Sequence, residues 1–492
     1  MFEPAPAQFF VRRPSYPWFV VGTVCIGTFI GQVDGSIVQL ALPSLEDAFG
    51  APLDAVSWVA LGYMLAFASV LSVFARLAEI AGRKTLYLAG FALFGLWSAL
   101  CGLAPTLPVL IGFRILQGMS GALLGANSVV ILVAAAGPER RGKALGIMAA
   151  AQAVGLSIGP ALGGVLLGTL GWRWIFWVTV PFAVLGTALG WLIVPRTKAF
   201  AGDRRFDAPG AFLLVPALAT LLLAISEAHA WGLSTPLIAC AVGSPLLLGG
   251  FIWRESRAPA PLVNLSLFRS AAFSAGSVGV LVSYAMLYGM FFAMSFALVR
   301  GYHDQPLAAG LRLTIVPVAL GLVAPNSGAL SDKRPRLLML VGMALCAASA
   351  LAMARLLDGT PGSLTGVMAG LAAFGAGLGF YIAPNNNATM SAAPADKSGV
   401  AGGLLNLLRI SGGAVGVAAS SAVLAWGLET TTGMHERTAG APEAALLAAV
   451  GDVLVLLAVF GALGGAMAII RNDPKADARK AAAAPSGALK PS

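Results

Sequence analysis

Fourteen long apolar segments follow one another along the chain, and they restrict its fold more than any other feature of the sequence. A helix needs roughly 20 residues to cross a hydrocarbon core about 30 Å thick, and segments such as Val453–Ile470 approach that length without a charged residue. Only helices or closed barrels satisfy every backbone polar group within a bilayer, and the alternating pattern of barrel strands is absent from the sequence. We therefore predict an all-α membrane protein.

The composition excludes a soluble protein of this length. Of the 492 residues, 58% are hydrophobic and 11% are charged, whereas soluble domains carry roughly 25% charged residues. A net charge of +10 would suggest a nucleic-acid partner for a soluble protein. Here the basic residues cluster between apolar segments, so we expect the lipid bilayer, and no nucleic acid, as a partner. The 4 cysteines are isolated within apolar segments and show no metal-binding spacing.

The predicted spans are numbered from the N-terminus, and the seventh and eighth are the weakest. Pro209, Pro216, Pro236 and Pro245 interrupt these two spans, and if either failed to cross, the two termini would lie on opposite sides. The short connection 104–106 makes the third and fourth spans a tight hairpin. The spans cover approximately 18–42, 54–74, 85–104, 107–133, 143–168, 174–194, 208–228, 234–253, 273–299, 307–330, 336–357, 363–390, 400–425 and 443–470.

The positions of the 31 Lys and Arg residues predict the orientation. Most of them fall in the tails and connections on one side of the fourteen spans, and basic connections stay in the cytoplasm. We therefore expect a multi-pass protein of a bacterial-type inner (plasma) membrane with both termini cytoplasmic. The C-terminal tail, 471–492, is rich in Ala, Pro and Lys without apolar periodicity, which predicts disorder.

Two connections on the basic side repeat one pattern. The connection after the second span reads Ala75-Arg-Leu-Ala-Glu-Ile-Ala-Gly-Arg-Lys84, and the connection after the tenth reads Gly328-Ala-Leu-Ser-Asp-Lys-Arg-Pro-Arg336. Such repeats are typical of transporters built from two similar halves, whereas a turn that only sets orientation is the alternative. The shared acidic, small and basic positions are Glu79, Gly82, Arg83 and Lys84 in the first copy, and Asp332 and Arg334 in the second.

The first copy resembles the inner-loop signature of the major facilitator superfamily, and three further motifs resemble its fourteen-span drug:proton antiporters of the QacA/EmrB type. The chain departs from these patterns at Ala75, Glu79 and Thr179, where the family has glycine, aspartate and asparagine. The motifs are Asp34-Gly-Ser-Ile-Val-Gln-Leu-Ala-Leu-Pro43, Arg114-Ile-Leu-Gln-Gly-Met-Ser-Gly-Ala122, and Gly155-Leu-Ser-Ile-Gly-Pro-Ala-Leu-Gly-Gly164 followed by Gly171-Trp-Arg-Trp-Ile-Phe-Trp-Val-Thr-Val-Pro181.

The resemblance implies a fold and a function. It implies a cytoplasmic N-terminal tail (1–17), an N-terminal six-helix bundle (18–194), two linker helices with flanking loops (195–272) and a C-terminal six-helix bundle (273–470). It also implies a monomer that exports lipophilic small molecules, cations included, in exchange for protons. No P-loop is present, so we expect a proton gradient, and no cofactor, to supply the energy.

Two other functions remain open at this point. A lipid, a fatty acid or a secondary metabolite could be the exported molecule, because a fold does not fix its cargo. A scaffold or sensor that transports nothing is a further alternative, although it would need no hinge. We do not expect an enzyme, because the sequence shows no nucleophile–base or metal-binding constellation.

Asp34 and Arg114 are charged residues that are predicted to lie deep within membrane spans. A charge deep in a span costs roughly 2.5–3.5 kcal/mol, and both residues are expected in the half of the bilayer away from the termini. The position of Asp34, the single carboxylate predicted deep within a span, suggests proton coupling with Arg114 as its partner. A static ion pair that holds the helices together is the alternative.

The fifth span carries glycines at every fourth position. Gly155, Gly159 and Gly163 share one helix face, so a neighbouring helix could approach it closely, and Pro160 removes one backbone hydrogen bond there. With Gly164, these residues are candidates for a hinge between two transport states. Ordinary close packing of small residues is the alternative.

The candidate substrate-binding residues lie mainly in the C-terminal half. The ninth span is crowded with Met and aromatic side chains, which suit an adaptable apolar pocket, although about half of them should face lipid or core. Three asparagines near the end of the twelfth span could serve the path or satisfy a helix terminus, and Arg409 could meet an anionic substrate or close the inner gate. The candidates are Gln117, Tyr284, Tyr288, Phe292, Asn385 and Arg409.

Overall fold

The computed structural model describes residues 3, 5–196, 207–227, 234–258, 261–331, 334–394, 397–433 and 438–470. Within these ranges it contains 14 helices long and apolar enough to span a membrane, which confirms the predicted number and includes both of the weaker spans. Asp332 and the predicted disordered tail lie outside the described residues. The helices α1 to α14 are Tyr16–Phe49, Leu53–Ala81, Arg83–Leu103, Leu107–Ala136, Pro138–Thr169, Trp174–Ile193, Ala208–Ser226, Thr235–Glu255, Ala271–Gly301, Pro306–Leu330, Pro335–Leu356, Pro361–Ser391, Gly399–Thr432 and Glu443–Ile470.

The prolines of α7 and α8 do not prevent either helix from forming. Pro209 and Pro236 lie in the first turn of their helices, where a backbone N–H has no partner within the helix. Pro216 and Pro245 lie inside α7 and α8, and both helices continue past them. The sequence indicated these two spans only weakly, because prolines commonly interrupt helices. Two of the four prolines, however, stand at positions that favour the start of a helix.

Several helices extend beyond the apolar segments that predicted them. Helix α1 continues through Pro43 to Phe49, and α2 continues to Ala81. The segment predicted as an inner loop is therefore helical except at Gly82, whose φ of 104° favours glycine. The loop prediction was wrong because hydropathy marks where a helix meets the charged membrane boundary, not where its backbone hydrogen bonds end.

The packing repeats between the two halves of the chain. In the first half α1 packs on α5, α2 on α4, and α3 on α4 and α6. In the second half α9 packs on α13, α10 on α12, and α11 on α12 and α14. Helices α7 and α8 pack on each other, and α7 also contacts α2 and α13. The structure is thus two similar bundles with a helix pair attached at one side.

The two bundles meet along helices from both halves. Helix α2 packs on α13, α5 on α10, and α1 on α9. We call the face at which α1 begins and α14 ends the basic face, and the other the opposite face. Each contact between bundles can change if the two halves tilt against each other.

A basic residue of each repeated motif also caps the C-terminus of the last helix in its bundle. The sequence did not predict these contacts. Lys84 Nζ donates to the carbonyl oxygens of Val194 at 2.7 Å and Trp191 at 3.0 Å, where α6 ends. Arg336 Nη2 donates to the carbonyl oxygen of Ile469 at 2.8 Å, where α14 ends. Both are the second residues of their helices, α3 and α11, and a cation at a helix C-terminus stabilises its unpaired carbonyls.

The orientation can be tested with single cysteines at exposed arginines on the two faces. In a chain without its native cysteines, Arg355→Cys on the opposite face should react with a membrane-impermeant maleimide in intact cells. Arg140→Cys on the basic face should react only after the cells are opened, because basic connections stay in the cytoplasm. Labelling of Arg140→Cys in intact cells would show that the orientation is the reverse of the predicted one.

Candidate functional site

A buried polar cluster joins α1 to α4 at the predicted charged residues. Asp34 is 0% exposed and Arg114 1% exposed. Arg114 Nη1 donates to Asp34 Oδ2 at 2.8 Å and to Oδ1 at 3.0 Å. Gln117 accepts from the same Nη1 at 2.6 Å and donates from Nε2 to Asp34 Oδ1 at 3.0 Å. The ion pair suggested by the sequence is therefore present, with an amide bonded to both partners.

The cluster extends to three further helices. Arg114 Nε donates to the carbonyl oxygen of Val59 in α2 at 2.9 Å, and its guanidinium carbon lies 4.4 Å from the centre of the Tyr63 ring. Gln117 Nε2 donates to Ser98 Oγ in α3 at 3.2 Å, and the Ser98 and Thr179 hydroxyl oxygens are 2.6 Å apart. A change of charge at Asp34 would therefore act on α1, α2, α3, α4 and α6 together.

A cavity lies directly beside this cluster, between the two bundles. Gly35 and Tyr63 belong to its wall and also neighbour Asp34 and Arg114, so the cluster stands behind the wall. The lining residues come from both bundles and are Gly27, Thr28, Gly31, Gln32, Gly35, Tyr63, Met64, Phe67, Phe94, Gly121, Leu124, Gly125, Ser128, Gln152, Tyr288, Arg409 and Ile410.

Arg409 links the bundles across the cavity. Its Nη2 donates to Asn406 Oδ1 at 2.6 Å within α13, and its Nη1 donates to Gln152 Oε1 in α5 at 3.3 Å. The Tyr284 ring lies 5.7 Å from its guanidinium carbon. Of the predicted substrate residues, Arg409 and Tyr288 line the cavity, and Tyr284 lies against Arg409.

The other predicted substrate residues lie elsewhere. Gln117 is held in the buried cluster. Phe292 is 0% exposed and packs on Phe296, with 5.2 Å between ring centres. Asn385 lies inside α12 and donates from Nδ2 to the carbonyl oxygen of Gly276 in α9 at 2.9 Å. These three residues are outside the cavity wall in this conformation, and Asn385 joins two helices instead of ending one.

Helix α9 is more deeply buried than the sequence predicted. About half of its aromatic and Met side chains were expected to face lipid or core, but the helix is central and 89% of its most apolar stretch is buried. It contacts α1, α12, α13 and α14. Because α9 is surrounded by other helices, its Met and aromatic side chains mainly form core, and Tyr288 reaches the cavity.

The glycine face of α5 packs directly on α1. A Cβ added to Gly155 would lie 2.7 Å from the Phe29 carbonyl oxygen, and one added to Gly163 would lie 2.7 Å from Ile37 Cγ1. A Cβ on Gly159 would overlap Ser36 Oγ. No larger side chain fits between these helices without a shift of α1.

The next residues of α5 contact the other bundle. A Cβ added to Gly164 would lie 2.5 Å from the Pro306 carbonyl oxygen at the start of α10. A Cβ added to Gly310 would overlap the Pro160 carbonyl oxygen. Helix α5 therefore contacts its own bundle with one set of predicted hinge residues and the other bundle with a second set.

Polar contacts also close the opposite face. Glu46 Oε1 accepts from the backbone N–H of Thr438 at 2.6 Å and of Ala439 at 3.4 Å, in the α13–α14 connection. Arg300 Nη2 at the end of α9 donates to Asp47 Oδ1 at 2.6 Å and to the Pro43 carbonyl oxygen at 3.1 Å. The two bundles are thus joined at this face. Glu46 was not predicted as a contact residue, because the apolar segment of the first span ends near residue 42.

The basic-face motif forms local ion pairs in its first copy. Glu79 accepts from Arg76 Nη1 at 2.6 Å and from Arg83 Nη2 at 3.1 Å. In the second copy Arg334 is exposed, and Asp332 lies outside the described residues. Both copies of the motif therefore lead into the start of a helix, α3 in the first half and α11 in the second. The acidic position is among the described residues in the first copy only.

Residues 24–417 match the family model of the Major Facilitator Superfamily. The chain belongs to the major facilitator superfamily. It is therefore a membrane transporter and not an enzyme, and its two bundles with two linker helices are the fourteen-span form of this fold.

Several relatives of this transporter are resistance or export proteins. The multidrug resistance protein Stp of Mycobacterium tuberculosis is 33% identical over 83% of this chain and 76% of its own length. The tetracenomycin C resistance and export protein of Streptomyces glaucescens is 32% identical over 83% and 76%. The riboflavin transporter RibZ of Clostridioides difficile is 30% identical over 84% and 89%.

A solved structure shares the fold of the transporter. A bacterial homologue of the human lysosomal transporter Spinster, in an inward-facing and unoccupied conformation, has a TM-score of 0.67 at 16% sequence identity. The likeness covers 94% of this chain and 100% of that one.

The glycine face generates a prediction about helix approach. Gly159→Leu should reduce transport by at least about fivefold, because overpacking of a tight contact costs roughly 1–3 kcal/mol in the conformation that contains it. The control is Gly146→Leu, on the same helix, whose added Cβ would meet no atom of the described residues within 4 Å. Transport is measured beside the amount of inserted protein. Equal activity of both variants would show that the face is passive packing.

Proposed function

We propose that this transporter is a secondary active exporter that moves lipophilic small molecules out of the cytoplasm in exchange for protons. The family and the resistance or export relatives support the transport direction. Proton coupling is supported by the position of Asp34, which is buried beside the cavity wall and hydrogen-bonded to Arg114 and Gln117. A carboxylate inside a membrane protein is costly and commonly takes part in proton movement.

The contacts suggest how a proton changes the cluster. When Asp34 is ionised, its two oxygens accept from Arg114 and neutralise a second buried charge. When Asp34 is protonated, Arg114 is left with uncompensated charge in a region of low dielectric, which is unfavourable. The cluster then has to rearrange around Arg114, whose Nε is bonded to the Val59 carbonyl oxygen of α2.

Helix α1 can carry that rearrangement to the rest of the molecule. It holds Asp34 at its centre, contacts the glycine face of α5 near Ser36, and bears Glu46 in the contacts that close the opposite face. A shift of α1 therefore acts on the cavity, the predicted hinge and the closure at once. The membrane potential supplies about 2.3 kcal/mol per proton for each 100 mV, in addition to the pH difference.

The riboflavin transporter among the relatives favours a second candidate. This is the uptake of a flavin-like planar ring compound into the cell, through the same cavity and with the same coupling cluster. Uptake assays in intact cells and in inverted vesicles would separate the two candidates, because export accumulates the compound only in inverted vesicles.

Proton coupling predicts a specific defect in Asp34→Asn. Inverted vesicles with an imposed pH gradient should accumulate a fluorescent lipophilic substrate with the unchanged protein. Vesicles with Asp34→Asn should accumulate at least about tenfold less substrate than vesicles with the unchanged protein, because an amide cannot exchange a proton. The variant should still bind the substrate. The matched control is Asp54→Asn in the first turn of α2, whose Oδ1 accepts from its neighbour Ala55.

A static ion pair predicts a different result for the same variants. Asp34→Asn would then lower thermal stability, since Arg114 loses its partner, but gradient-driven accumulation per folded molecule would stay at the control level. That outcome would contradict the proposed role of Asp34. The search for a proton carrier would then move to Glu227, which accepts from Trp58 Nε1 at 2.7 Å, and Asp452.

A further inference from the structure

The cavity wall has an uneven distribution of charge. Among the described residues that line it, Arg409 is the one with a full charge, and none is a carboxylate. The other polar side chains are the hydroxyls of Thr28, Ser128, Tyr63 and Tyr288 and the amides of Gln32 and Gln152. A molecule in this cavity therefore meets a positive charge surrounded by neutral groups.

The buried carboxylate of Asp34, behind the wall, does not offset that charge. Asp34 is 0% exposed, and both of its oxygens accept from Arg114 while Gln117 also donates to Oδ1. Its charge is already paired with another cation behind the wall. The ion pair therefore leaves Arg409 as the dominant charge that a bound molecule would face.

The guanidinium of Arg409 also has hydrogen-bonding capacity that the protein does not use fully. Its two described side-chain partners are the neutral amide oxygens of Asn406 and Gln152, the latter at the longer distance of 3.3 Å. Its Nε is buried and has no hydrogen-bond partner among the described residues. An arginine presents five N–H donors that match the geometry of an anionic group, and a charge-assisted hydrogen bond is roughly twice as strong as a neutral one.

The remainder of the wall suits a flat apolar body. Tyr63, Phe67 and Phe94 come from one bundle and Tyr288 from the other. Gly27, Gly31, Gly35, Gly121 and Gly125 also line the cavity, and an added Cβ on Gly31 would meet nothing within 4 Å. The aromatic rings give this part of the wall flat faces, against which a planar ring system can stack, and the branched side chains of Thr28, Leu124 and Ile410 line the rest of it.

We propose that the substrate class of this transporter is the lipophilic organic anion, with a planar aromatic body and one carboxylate or similar acidic group bound by Arg409. This inference rests on the proposed transport function and replaces the expectation of cations. The anion competes with Gln152 for the guanidinium, so its binding loosens a bond between α5 and α13. Substrate binding thereby weakens one link between the two bundles.

The test uses three pyrene probes with the same chain and different end groups: 1-pyrenebutyrate, its primary amide and the corresponding butylammonium. Binding to purified protein in nanodiscs is measured by fluorescence without any proton gradient. The butyrate should bind at least about tenfold more tightly than the amide and the ammonium, because it alone forms charge-assisted hydrogen bonds with Arg409. Arg409→Gln should abolish this preference, and Arg409→Lys should keep part of it.

Controls separate this proposal from folding and from coupling. Arg257→Gln, at an exposed arginine that stacks on Trp253 away from the cavity, should keep the full preference, and thermal unfolding checks that each variant is folded. Tighter binding of the ammonium, an unchanged preference in Arg409→Gln, or binding of none of the three probes would overturn the proposal. Because no gradient is applied, a failure of proton coupling leaves the predicted binding order unchanged.

Discussion

The ion pair between Asp34 and Arg114 is the constraint on which the rest of the account depends. Two opposite charges are held away from water inside the membrane domain, and each is tolerable because the other is within hydrogen-bonding distance. Loss of either charge leaves the other buried without compensation. The ion pair is favourable while Asp34 is ionised and unfavourable once Asp34 is protonated. In the proposed mechanism, a single proton would therefore change the packing of five helices.

Helix α1 is the element through which this local instability can become a conformational change. Its packing on α5 has no space for a side chain at Gly159, and its far end is bonded to the other bundle through Glu46 and Thr438. A small displacement therefore has to be accommodated at both places. The cavity lies between them and includes Arg409, whose bond to Gln152 crosses the bundles. In the proposed mechanism, substrate and proton would therefore act on the same interface from two sides.

The sequence predicted those features that are local in the chain. Hydropathy found all fourteen spans, and the cost of intramembrane charge singled out Asp34 and Arg114, which the structure places in contact. It could not predict contacts between distant residues, such as Glu46 with Thr438 or Lys84 with the end of α6. Gln117, Phe292 and Asn385 lie outside the cavity wall in this conformation. The sequence could not show this, because a polar or aromatic side chain in a span gives no indication of whether it faces a cavity or a neighbouring helix.

In the proposed mechanism, the protonation state of Asp34 sets the arrangement of the two bundles. The most direct measurement is the distance between spin labels at Thr106→Cys in the first bundle and Arg355→Cys in the second, both at the opposite face, as a function of pH. With Asp34 intact, acidification should shift the distance distribution towards an open opposite face. In Asp34→Asn the distribution should no longer depend on pH. A pH-dependent shift that persists unchanged in Asp34→Asn would contradict the account.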